Sequence, residues 1–160
     1  MALKGDRHVI VEDPSFFMNE VAQRGGMTVY STIGSGSALD QSVALVTMVV
    51  GASGSKPAGL LMCDMVNIDQ TRQHINWHKQ EIQKGGKVHL LKEGWVLTDQ
   101  IASGITIAAG DLAYLEPLAA NDGEGRITNS FSGETVSPTV GRFLSKKDED
   151  GYAKVYIKIA

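Results

Sequence analysis

Cys63 is the only cysteine in 160 residues, so no disulfide can form within the chain, which suits a protein made in a reducing cytoplasm. Aromatic residues are sparse at 6%, and they are not interleaved with basic residues as a surface that stacks single-stranded nucleic acid requires. Positive charge is not in excess. A net charge of −3 and a pI near 5.8 leave no electrostatic footprint for nucleic acid. No apolar run approaches the ~18 residues of a spanning helix, and no basic segment followed by an apolar one opens the chain, so no membrane association is expected.

What is present points to β structure. Apolar residues make up 42% and charged residues 21%, ordinary values for a globular chain. The 18 glycines cluster between apolar runs, as turns between strands would place them. The length fits one domain, residues 1–160, with a core that can stand without metals or bridges.

Arg7 to Glu12 is a short β-branched run with polar flanks, which predicts a strand. Asp13-Pro14 has the form of a helix N-cap followed by proline at the first helical position. Phe16, Phe17, Val21 and Ala22 then fall on one helical face that ends at Gly25-Gly26, so a short N-terminal helix is expected there. From Met27 the pattern changes to strands. Met27 to Ile33 alternates, Val43 to Val50 is a nearly continuous apolar run of the kind buried on both faces, and Gly59 to Met62 resumes it. Val88 to Thr98 reads as a long strand with Gly94 as a bulge that re-aims Trp95. Leu112 to Leu115, Arg126 to Thr128, Val140 to Leu144 and Val155 to Ile159 form a closing meander. Turn chemistry separates them at Asn121 to Gly123, Ser132-Gly133 and Asp150-Gly151. Asn67 to Gln83 fits neither period, because Ile68, Ile75 and Ile82 recur every seven residues among polar ones. An extended arm or a poorly formed helix is expected there, with Arg72, His74, Trp77 and His78 as inter-subunit contacts.

No arrangement of residues carries recognisable chemistry. His74 and His78 have the spacing of a helical zinc pair, but Ile75 stands where the general base of that motif belongs; further ligands would have to come from Cys63 or His89. Asp148 to Gly151 opens like a calcium loop, yet Ile159 takes the place of the closing carboxylate; a charged hairpin tip explains it better. Gly34 to Leu39 lacks the third glycine of a dinucleotide fingerprint, and Gly51 to Lys56 lacks phosphate-loop spacing. No nucleophile elbow is present, and the apolar run before Cys63 favours an inert thiol. Neither a catalytic residue, a metal nor a cofactor is assigned. Tyr114, Phe143, Tyr152 and Tyr156 read as core residues or cross-strand pairs.

Several blocks then follow in a familiar order. These are Asn67 to His74, Gly85 to Val88, Gly94 to Asp99, Ala109 to Leu115, Gly125 to Thr128, Val140 to Ser145 and Asp148 to Ile159. Together they span roughly residues 58–159 and resemble the head decoration (capsid cement) proteins of tailed bacteriophages. That resemblance implies a mainly β fold, a compact barrel or β-tulip-like meander with an extended N-terminal arm over residues 1–13. It implies a homotrimer on the outer surface of the virion, with the major capsid protein as partner and without catalytic residues. Such a subunit bridges neighbouring capsomers through contacts that reinforce one another by effective concentration. Within this picture Arg7, His8, Val9, Ile10, Val11 and Glu12 are capsid-interface candidates, adding as a strand to capsid protein; the alternative is pairing inside their own domain. Deleting the first twelve residues is then expected to spare the trimer and abolish attachment. Competing readings are a tail or head-fibre part of a virion, a small metal-dependent hydrolase, and a carbohydrate-binding module centred on Trp77.

Overall fold

A computed structural model describes residues 3–31, 45–48, 55–64, 81–82, 84–116, 125–130 and 138–159. The fold is mainly β. Among the described residues eleven strands run in chain order: β1 (Leu3–Met18), β2 (Ala22–Gln23), β3 (Met27–Ser31), β4 (Leu45–Thr47), β5 (Pro57–Asp64), β6 (Glu81–Ile82), β7 (Lys87–Thr98), β8 (Leu112–Leu115), β9 (Ile127–Thr128), β10 (Thr139–Phe143) and β11 (Ala153–Lys158). Nine of them form one sheet in the order β1-β4-β3-β5-β7-β11-β10-β8-β9, and β2 pairs with β6 alone.

β7 organises the sheet. Its first half pairs with β5 (Leu60 with Leu91, Leu61 with Leu90), and its second half pairs with β11 from Glu93 to Thr98. β1 runs antiparallel along β7 from Leu3 to Phe17. At its far end β1 also pairs in parallel with β4, Phe17 opposite Leu45 and Met18 opposite Val46. The pairings β1–β4–β3–β5–β7 therefore return to β1. A bridge between Ile101 and Ile127 ties the segment after β7 back to β9.

Two apolar cores result among the described residues. Val29, Leu60, Leu91, Val96, Ile127, Phe143, Val155 and Ile157 belong to the larger, and Met18, Val46, Leu61, Ile82, Val88 and Leu90 to the smaller. The adjacent pairs Leu60–Leu61 and Leu90–Leu91 divide between the two, which explains why β5 and the start of β7 read as continuous apolar runs. β11 instead alternates, burying Ala153, Val155 and Ile157 and turning Lys154, Tyr156 and Lys158 outward.

The expected N-terminal helix is absent: residues 13–18 continue β1, and Ala22–Gln23 is a short strand. The capping chemistry exists but serves another end. The Asp13 carboxylate accepts a hydrogen bond from the Ser15 amide (2.9 Å) and another from its hydroxyl. That turn, with Pro14 inside it, produces a register shift between Asp13 and Phe16. Beyond it Phe16 and Met18 are buried while Val21 is exposed, a distribution that no single helical face would give.

Gly94 also differs from its expected role. Its pairing with β11 runs without a shift, Ile157 opposite Gly94; against β1 two shifts lie beside it, an extra residue in β1 between Val9 and Val11 and an extra residue in β7, Lys92, between Leu91 and Glu93. Glycine is needed because φ is 147° and because a Cβ there would sit 2.2 Å from the His8 carbonyl oxygen.

Candidate functional site

The residues singled out at the N-terminus, Arg7 to Glu12, lie together on β1. Val9 is half-buried against the larger core, and the others are exposed. Ile10 and Val11 are 53% and 47% exposed, unusual for neighbouring β-branched residues. One edge of this strand is hydrogen-bonded to β7, so pairing within the chain is present along that edge. The other edge has no partner strand among the described residues until Phe17 reaches β4. A row of outward-facing backbone groups beside exposed β-branched side chains is the arrangement that accepts an added strand. Its four register shifts limit this: a bulged edge accepts a fitted partner more readily than another copy of itself.

Side chains hold β1 in place. Lys4 Nζ donates to Asp148 Oδ2 at 3.0 Å and lies 4.1 Å from the centroid of the Tyr152 ring, tying the start of the strand to the β10–β11 connection. The Asp148 carboxylate also accepts from the Asp150 and Tyr152 amides at 3.0 and 2.7 Å. Its internal donors make it a turn cap, the hairpin-tip role expected of Asp148 to Gly151. The Lys4 hydrogen bond, with these amides, holds the Asp148 carboxyl below the usual carboxylate range, and in return the Lys4 amine is raised. Asp13 is likewise lowered, chiefly by the Ser15 hydroxyl. Further along, His89 Nδ1 is 3.8 Å from the Glu12 carboxylate, and Lys92 Nζ donates to the Tyr30 hydroxyl at 3.1 Å beside the Phe16 ring.

β1 also takes part in an outward-facing cluster that the sequence reading did not foresee. The His8 ring stacks on Trp95 with centroids 6.5 Å apart, and Lys154 Nζ stands 3.5 Å from the centroid of the same indole. Tyr156 donates its hydroxyl to Glu93 Oε1 at 2.7 Å, and Lys158 Nζ is 3.6 Å from that oxygen. The Tyr156 bond lowers Glu93 and raises the phenol, each favouring the form present in the pair. The alternation of Lys154, Tyr156 and Lys158 along β11 was a signal for one such face; its meeting with Trp95 and His8 depends on strand order.

Arg72, His74, Trp77 and His78 lie outside the described residues, as do the Asn121 and Ser132 turns. Among the described residues no group of three His, Cys, Asp or Glu side chains is placed to hold a metal ion, and no helix is long and apolar enough to cross a membrane. No protein-family model and no curated protein matches this chain.

Proposed function

We propose that this chain is a non-enzymatic structural protein of a virion, a decoration subunit that binds the outside of a tailed-phage capsid and bridges neighbouring capsomers. The observation that carries the reading is β1: a strand anchored along one edge to β7, with Ile10 and Val11 exposed and its opposite edge open among the described residues. Such a strand offers main-chain hydrogen bonds to a neighbour while its own conformation is already fixed, which lowers the ordering cost of binding. Two further features support it. The ordered blocks between residues 58 and 159 resemble those of decoration proteins. The returning ring of pairings β1–β4–β3–β5–β7 suits the compact barrel or β-tulip form that the resemblance implies. In this reading three copies assemble at a three-fold or quasi-three-fold position, and the major capsid protein is the partner.

Purified protein mixed with undecorated capsids tests the proposal by co-sedimentation. Saturable, stoichiometric binding that raises the temperature at which capsids rupture is the expected result. Ile10→Lys and Val11→Lys are expected to weaken attachment at least tenfold while keeping the wild-type melting curve, because both side chains already face solvent. Capsids left bare and no more resistant would refute the assignment.

A further inference from the structure

Register across the second half of the sheet builds a row that no single strand displays. Leu112 pairs with Arg142, Arg142 with Tyr156, Tyr156 with Trp95 and Trp95 with His8, so five strands contribute one outward residue each. At about 4.8 Å between strands the row is roughly 19 Å long. Beside it Leu97 pairs with Lys154, whose carbonyl accepts from the amide of exposed Leu144; on the other flank Glu93 pairs with Lys158. Leu112 and Leu144 are 42% and 41% exposed. Tryptophan, tyrosine and arginine in one central row, with leucines beside them, is the composition of an interface centre. The row is also fixed in advance: the indole is held between His8 and Lys154, and the Tyr156 phenol is bonded to Glu93. Little rotamer freedom remains to be lost on binding.

Charge names the occupant. The paired and flanking residues just named carry three cations (Arg142, Lys154, Lys158) and one carboxylate (Glu93), a local net of +2 on a chain of −3. We propose that this face is a docking surface for an acidic segment of a partner protein. A second copy packed face to face would set Arg142, Lys154 and Lys158 against their own equivalents. The face, on the order of 270 Å² as a flat patch, is also far below the ~800 Å² per partner of a stable complex. The partner must therefore extend past it, and His8 makes it continuous with β1, whose other edge has no partner strand among the described residues before Phe17. In identifying that partner as capsid protein the inference rests on the proposed function; the acidic chemistry stands on the face alone.

Trp77→Phe leaves Trp95 as the only tryptophan, a reporter within the row. The full-length variant is titrated with a synthetic peptide of alternating glutamate and valine, and wild-type protein with undecorated capsids, each at about 50 and about 500 mM NaCl. The face predicts a saturable change in Trp95 emission that weakens with salt. It also predicts at least a tenfold loss of peptide and capsid affinity in Lys154→Glu/Lys158→Glu, against little loss in the off-face control Lys56→Glu/Lys84→Glu. Lys158→Glu alone, at a residue whose side chain is 68% exposed, gives the same direction should Lys154→Glu disturb the fold. Peptide binding without capsid binding removes the capsid assignment and keeps the acidic partner. Capsid binding indifferent to these reversals removes the inference and keeps the assignment. Preference for an oligonucleotide over the peptide, or self-association through this face in sedimentation, overturns the inference outright.

Discussion

Gly94 is the residue on which the seating of β1 depends most directly. Any side chain there meets the His8 carbonyl at 2.2 Å, and the backbone φ of 147° is one that other residues avoid. Gly94→Ala is expected to destabilise the fold by about 3 kcal/mol or more, through strain and displacement of β1. Gly104→Ala, where φ is 72° with open space around the new methyl, should cost only about 1–2 kcal/mol. Urea unfolding of the two variants checks the order; equal losses would mean that β1 does not pack on Gly94 in solution. Acid dependence belongs to this scale as well. Asp13, Glu93, Asp111 and Asp148 are all held below their ordinary values by hydrogen bonds, chiefly from Ser15, Tyr156, the Ala108 amide and Lys4 respectively. A carboxyl lowered on folding stabilises fully above its unfolded pKa, and that contribution disappears as the pH falls through the folded value. The urea midpoint should therefore hold down to about pH 5 and fall steadily below about pH 4. Asp148→Asn should make that fall shallower, and an unchanged acid profile would count against the Lys4–Asp148 tie.

At the scale of elements, β1 unites two segments that the sequence presents as separate. Arg7 to Glu12 is legible as a strand from its β-branched content, and Val88 to Thr98, Val140 to Leu144 and Val155 to Ile159 are legible from alternation and flanking turns. Asp13-Pro14 misleads because the same side-chain-to-amide bond can open a helix or shape a bulge. What decides between them is long-range: Phe16 meets Val88, Phe17 meets Leu45, and Phe16 and Met18 enter the smaller core. Those partners are remote in sequence, so local propensity gives no warning of them. The role of β1 also changes the value of a truncation. Removing residues 1–12 would strip one edge of β7, from Leu91 to Thr98, of its β1 partner and remove Leu3 and Val9 from the larger core. Such a chain is expected to melt well below the full-length protein or to aggregate, so its failure to attach would not isolate the open edge. Calorimetry checks this; a truncated chain with the full-length melting temperature would show β1 to be dispensable for folding.

At the scale of the whole molecule, two cores among the described residues divide at the Leu60–Leu61 and Leu90–Leu91 pairs of β5 and β7, and the outward strand and the aromatic row belong to the same sheet. The first half of the candidate surface, Arg7 to Glu12, was readable from a short run of residues. The second half was not, since Leu112, Arg142, Tyr156, Trp95 and His8 come from five strands and meet only through register. Strand order is set by pairings between remote segments and by which apolar faces share a core, and a single sequence does not display either. In the proposed assembly a neighbour adds its backbone to the edge of β1 that is open among the described residues. Hydrogen exchange of the β1 amides, compared between free protein and protein bound to undecorated capsids, tests that claim most directly. Strong new protection across Arg7 to Glu12, with the β10 and β11 amides inside the sheet already protected and little changed, is the predicted result. Capsid-bound protein whose β1 amides exchange as fast as in the free chain would contradict it.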